Sequence, residues 1–148
     1  VVKAAFFRRG DLDFYKVAMQ PGMPQGFGHI EGKPFFGLPG NPVSVFVSFE
    51  LFVRPAMLTM MGRTQIDRPE VTATLAADVS GPSGKMQYAR VVIERGDVGW
   101  VATPTGGRGS NLISTVARAN GLAMIPPGTE TAPAGSQVQV MVFRSGED

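Results

Sequence analysis

Cysteine is absent from this chain. Disulfides, thiolate metal sites and a cysteine nucleophile are therefore excluded. The absence fits a reducing compartment, and the expected location is cytoplasmic. Histidine occurs once, as His29, so no multi-histidine metal cluster can form and His29 is expected to be structural. A large charge imbalance is also lacking: 14 Lys and Arg against 12 Asp and Glu leave a net charge of +2. That is far from the clustered basic surface of a nucleic-acid binder. No apolar run approaches the ~18 residues of a membrane helix, because Glu50 and Arg54 interrupt the most hydrophobic segment. Neither a nucleic acid nor a membrane is expected as a partner, and no signal peptide is visible. The first residue is Val1 rather than methionine. Val1 to Phe7 reads as the middle of a structured element, so the expectation is a piece of a longer chain.

Apolar residues, at 43%, are numerous enough to bury a core. The 148 residues suit one ordinary domain, or a part-domain with a small one. Composition shifts near residue 63. Before it, Val1 to Arg9 reads as a helix end stopped by Gly10, and Leu12 to Gln20 as a strand. Pro21-Gly22-Met23-Pro24 forces a loop. Phe27 to Ile30 and Pro34 to Leu38 form a hairpin around Glu31-Gly32-Lys33. Asn41 is a good N-cap and Pro42 suits the first helical position, where its missing N–H costs nothing. The helix Val43 to Met61 is apolar on nearly every side and must be covered on several faces. Pro55 should kink it and Gly62 should end it.

After residue 67 the pattern becomes β-type. Val71, Ala73, Leu75 and Ala77 share one strand face. Met86 to Glu94 and Gly99 to Thr103 make a hairpin around Arg95-Gly96-Asp97. A short helix, Leu112 to Ala119, is followed by the strands Leu122 to Ile125 and Gln137 to Phe143. Five or six short strands in so few residues are best closed as a small barrel or sandwich.

Gly37-Leu38-Pro39-Gly40-Asn41-Pro42-Val43-Ser44 is the strongest local signal. A Gly-rich turn before a helix aims unpaired N–H groups outward, with the positive end of the helix dipole behind them, so an anion such as phosphate fits. A well-capped helix after a strand explains the same residues. Gly106-Gly107-Arg108-Gly109-Ser110 repeats this logic, and a loop with an N-cap is the simpler account of it. Lys16, a lone strand lysine, reads as a solvated side chain. Arg90 shares a strand face with Met86, Tyr88 and Val92, where an apolar residue would fit. It could recognise an anion or block edge-to-edge aggregation. Arg95-Gly96-Asp97 is explained by its turn, and Gly26-Phe27-Gly28 is no dinucleotide fingerprint because no helix follows it.

Phe14-Tyr15-Lys16-Val17-Ala18-Met19-Gln20-Pro21-Gly22-Met23-Pro24, followed by the Gly37 to Ser44 segment, closely resembles the molybdopterin molybdenumtransferase family, to which the C-terminal domain of gephyrin is related. The resemblance spans essentially the whole chain. It implies that residues 1–63 are the C-terminal half of an α/β molybdopterin-binding domain and residues 67–148 a small C-terminal β-barrel domain. It further implies an elongated homodimer whose site draws on the partner subunit. Its members insert molybdenum from molybdate into adenylylated molybdopterin and release AMP. By the same resemblance Gly37, Pro39, Gly40, Asn41, Pro42 and Ser44 line the pterin-phosphate pocket, and Gln20 and Pro21 also bind substrate, Pro21 near the molybdate. Lys16, Arg90 and Ser110 are then the catalytic set around molybdate.

Two departures stand out. Gln20 and Met23 occupy positions where relatives carry lysine, so positive charge is lost. The acidic residues for Mg²⁺ are expected upstream of this chain, so the chain alone is expected to be inactive. A non-catalytic molybdopterin-binding or scaffolding module of the same fold is the alternative. With only part of a sheet in the first half, the apolar helix is also expected to drive oligomerisation or poor solubility.

Overall fold

The computed structural model describes residues 10–106 and 113–143. The expected helix end at Val1 to Arg9, and the loop carrying Arg108 and Ser110, lie outside the described residues. Strands β1 (Gly10–Lys16), β3 (Pro24–Ile30) and β4 (Lys33–Gly37) form an antiparallel sheet in the order β1-β3-β4. The hairpin between β3 and β4 turns on Glu31 and Gly32, both at positive φ (52° and 77°). Two such residues twist the turn in the sense that strands prefer, which confirms the expected hairpin.

The strand expected over Leu12 to Gln20 is instead broken. β1 ends at Lys16, and a separate two-residue strand β2 (Met19–Gln20) pairs in parallel with another sheet altogether. The break is stabilised locally: Val17 N–H donates to the Met23 carbonyl at 2.8 Å and Met19 N–H to the Val17 carbonyl at 2.8 Å. Its cause is burial. Met19 is only 2% exposed and sits in a core with Val47 and Leu122, on the far side of the break from exposed Lys16.

Helix α1 runs from Pro42 to Met60, in three consecutive pieces: α-helical Pro42–Ser48, a π-helical turn Phe49–Val53, and α-helical Arg54–Met60. Pro55 has no N–H and its ring crowds the carbonyl one turn earlier. The chain meets this with the wide turn just before it, where Arg54 N–H reaches back five residues to Phe49. The expected proline kink thus takes the form of a π-turn. Gly62 (φ 72°) ends the helix as expected, with its N–H on the Thr59 carbonyl and that of Arg63 on Leu58. By length and composition α1 is a candidate membrane span, contrary to the sequence expectation. In this fold Val43, Val47, Ser48 and Glu50 are buried, whereas Phe49, Met57, Met60 and Met61 stay exposed.

The second half is a closed barrel of β5 (Glu70–Leu75), β7 (Met86–Gly96), β8 (Gly99–Pro104), β9 (Gly121–Ile125) and β11 (Gln137–Val142). Its ring order is β7-β8-β5-β11-β9, closed by β7 pairing with β9. A small β6–β10 ribbon (Val79–Ser80, Thr131–Ala132) stands beside it. Closure removes the exposed edges that such short strands would otherwise present. β7 makes it possible by being long: Gln87 to Val91 pair with β9 and Val91 to Gly96 with β8. Past the end of β9, the Asn120 side chain stands in for a strand, accepting from Ile93 N–H at 2.7 Å and donating to the Ile93 carbonyl at 3.0 Å. Strand alternation sends Val91 and Ile93 into the barrel core with Ala73, Leu75, Ala102, Ile125 and Val140. Tyr88, Arg90 and Val92 consequently share one face, as the sequence pattern has it, and that face points away from the barrel core. The helical insert is α2 (Ile113–Arg118). Barrel and α/β part are joined by β2 on β7, by the shared Met19–Val47–Leu122 core, and by Phe46 edge-on to Phe143 at 5.2 Å.

Candidate functional site

The N-terminus of α1, the turn after β2 and the outer face of β7 converge on a cleft of about 890 Å³. Three stretches distant in sequence form its walls: Gln20 to Pro24, then Asn41 with Val43 and Ser44, then Gln87 to Arg90. The β6 segment Asp78 to Pro82 closes one side, and Pro104 and Gly106 complete the described lining.

The Pro21 corner is built with care for backbone shape. The Gln20–Pro21 peptide is cis, and Gly22 follows at φ 101°. A Cβ on Gly22 would meet the Ser48 hydroxyl at 2.9 Å and the Met19 methyl at 3.0 Å, so this position requires glycine. Beneath the corner, the buried Gln25 amide donates to the Gly22 carbonyl and to Ser48 Oγ, the latter at 2.6 Å. On the opposite wall Asn41 caps α1 as expected, its backbone extended (φ −79°, ψ 126°) and its Oδ1 accepting from Val43 N–H at 2.9 Å. One of the free N–H groups offered to an anion is therefore used by the cap itself. Asn41→Ala should lower the stability of the chain by about 1 kcal/mol in urea titration, and Asn41→Gly by only a few tenths.

Arg90 and Asp78 are the only residues of formal charge lining the cleft among the described residues. Asp78 Oδ1 already accepts from Ala134 N–H at 2.8 Å. Arg90 is half-buried, and the resulting desolvation lowers its pKa; a guanidinium nevertheless stays protonated near neutrality. The Tyr88 phenol next to it is pushed up, first by burial and then by the charge of Glu70, so it remains a neutral donor. Among the described residues no three His, Cys, Asp or Glu come together as metal ligands. Asp78, the one carboxylate of the cleft among the described residues, does not make a Mg²⁺ site.

The structure thus brings together Gln20, Pro21, Asn41, Ser44 and Arg90. Gly37, at the end of β4, and Pro39, Gly40 and Pro42 flank the cleft without lining it. Lys16 is exposed on the far side of the strand break and is likewise not in the lining. Ser110 lies outside the described residues. Sequence reasoning passed over Gln25 and Ser48, which hold the Pro21 corner, and the Asp78 to Pro82 segment. Gln25 and Ser48 signalled themselves only as polar residues within apolar stretches.

A partial α/β unit whose helix N-terminus faces a small closed barrel across a polar cleft defines the class: an α/β half-domain followed by a β-barrel domain. Two family models match the chain, "Probable molybdopterin binding domain" over residues 1–59 and "MoeA C-terminal region (domain IV)" over residues 72–143. The chain belongs to the molybdopterin molybdenumtransferase (MoeA) family, a family of enzymes. It is 44% identical over 146 residues to molybdopterin molybdenumtransferase 2 of Mycobacterium tuberculosis H37Rv, covering 95% of this chain and 36% of that protein. With the molybdopterin molybdenumtransferase of Staphylococcus aureus COL the identity is 32%, over 93% of this chain and 33% of the relative. A solved molybdopterin biosynthesis MoeA protein from Pyrococcus horikoshii superposes with a TM-score of 0.79 at 32% identity, covering 96% of this chain and 34% of that one. The chain spans about a third of the length of the curated relatives it matches.

Proposed function

We propose that this chain supplies two walls of the site at which a longer protein inserts molybdenum from molybdate into adenylylated molybdopterin, releasing AMP. The observation that carries the reading is the cleft, in which Arg90 of the barrel faces the Gln20–Pro21 corner and the capped start of α1. The pterin phosphate takes the α1 end, where the helix dipole and the remaining N–H groups favour an anion. Molybdate takes the Arg90 side. There a forked cation neutralises oxyanion charge while the two dithiol sulfurs bond to the metal and displaced oxygen leaves as water, carrying the thiol protons. Tyr88, kept neutral, is placed to donate a hydrogen bond. Lys16 and Ser110 belong to the catalytic set by resemblance. Lys16 does not line the cleft itself, but it ends β1 in register with Pro24 of the cleft wall.

In this reading residues 1–63 and 67–148 correspond to two domains of the complete protein. That protein is a cytoplasmic homodimer, and its Mg²⁺ ligands lie upstream. The 148-residue chain by itself is therefore inactive. The test is AMP release from adenylylated molybdopterin by the chain extended to its natural start, with and without molybdate. Molybdate-dependent release is expected from the extended chain and none from the 148 residues alone. Gln20 gives a second reading some weight: a neutral side chain stands in the cleft wall where the family resemblance leads one to expect lysine. Pterin binding without any AMP release by the extended chain would favour a binding or scaffolding module.

A further inference from the structure

Glu50 is the one charged residue buried on α1, with a side chain only 7% exposed, and it lies inside the π-turn. Arg68, in the segment that leads from α1 into the barrel, grips it with a fork: Nε to Oε2 at 3.0 Å and Nη2 to Oε1 at 3.2 Å. The third donor of that guanidinium, Nη1, lies 3.4 Å from the Phe143 carbonyl, just past the last barrel strand. Arg54, one turn further along α1, comes within 4.0 Å of the same carboxylate and donates to the Ile66 carbonyl at 2.7 Å. A single buried carboxylate thereby ties together the helix, the crossover segment and the end of the barrel.

Burying a charge on an otherwise apolar helix is a poor route to stability, because desolvation offsets most of the attraction. Such a pair earns its place by fixing one arrangement against others. Here the arrangement at stake is that of barrel against helix. Near the cleft they are pinned by β2 on β7, a parallel pairing only two residues long. Two residues of ladder make a pivot. The Met19–Val47–Leu122 core and the Phe46–Phe143 contact add apolar packing, which is non-directional and does not by itself fix an angle. The second directional fastening is Glu50, six residues along α1 from Ser44 of the cleft wall, or ~9 Å at helical rise. A barrel freed there would turn about the β2–β7 bridge and carry Arg90 away from the start of α1.

We propose that the Glu50–Arg68 pair is the latch that sets the width of the cleft, with both residues acting as positioning residues. The functional consequence rests on the cleft being the substrate site, but the width itself can be measured without substrate. The chain has no native cysteine, so spin labels on Lys33→Cys, at the start of β4, and Asp97→Cys, in the β7–β8 turn, report one distance across the two parts. A single narrow distribution is expected in the parent chain. In Glu50→Gln and in Arg68→Lys, which keeps the cation but loses the fork, the distribution should broaden and its mean shift, while circular dichroism and Trp100 fluorescence stay native. Should Glu50→Gln fail to fold, Arg68→Lys decides by the same reading. An unchanged distribution in a folded variant overturns the latch, and so does loss of folding in both, which would make the pair a stability element. Either outcome leaves the proposed reaction standing, and failure of AMP release leaves the latch standing.

Discussion

Arg90→Ala in the chain extended to its natural start should raise the molybdate concentration needed for half-maximal AMP release by about 10- to 100-fold. A hydrogen bond to a charged group contributes about 1.5–3 kcal/mol, and each 1.4 kcal/mol is a factor of about ten in affinity. The upper part of that range applies because Arg90 is half-buried in the cleft, where water screens less than at an open surface. Pterin binding should change little, since the start of α1 is a separate wall. The barrel should stay intact, because what holds Arg90 in β7 is backbone: its carbonyl accepts from Thr105 N–H at 2.9 Å, and it pairs with Leu122. Arg90→Lys keeps the charge without the fork and should fall between alanine and the parent. A molybdate dependence unmoved in Arg90→Ala would remove the arginine from the oxyanion site and give weight to the binding-module reading.

Arg90 was legible in the sequence because strand alternation is a local rule. Alternation put Arg90 on one face with Tyr88 and Val92; that the other face, with Val91 and Ile93, is the one that enters the barrel core came from the structure. The Asn41-Pro42 helix start was legible for the same reason, since a cap needs only its next few neighbours. Gly62 and the Glu31-Gly32 turn follow suit. The break at Val17-Ala18 was not legible. Leu12 to Gln20 alternates well enough for a single strand, and the distant Leu122 and Val47 explain why Met19 leaves the first sheet. That break is also why Lys16 and Gln20, close in sequence, belong to different sheets: Lys16 ends β1 opposite Pro24, whereas Gln20 pairs with β7 and lines the cleft. The Gln25–Ser48 and Glu50–Arg68 contacts join residues 23 and 18 positions apart, a separation at which sequence pattern carries no signal. Glu50 itself was noticed, but only as an interruption of an apolar run.

Leu122→Ala should lower the stability of the chain by about 2–5 kcal/mol, the range for emptying a fully buried leucine site. Leu122 is 0% exposed and lies on β9 of the barrel, yet its core partners Met19 and Val47 come from β2 and α1. The cavity therefore opens at the seam between the two parts. Collapse there is hindered by the β2–β7 pairing on one side and the β11–β9 ladder on the other, which puts the cost toward the upper end. Two probes separate the parts: Trp100 fluorescence reports the barrel, and circular dichroism at the helical band reports chiefly α1. In urea the parent should give coincident transitions, as expected when a core is shared. Leu122→Ala should shift both midpoints down together. If only the Trp100 transition moved, the seam would not couple the two parts, and the cleft would be the meeting of two independent bodies rather than one rigid wall against another.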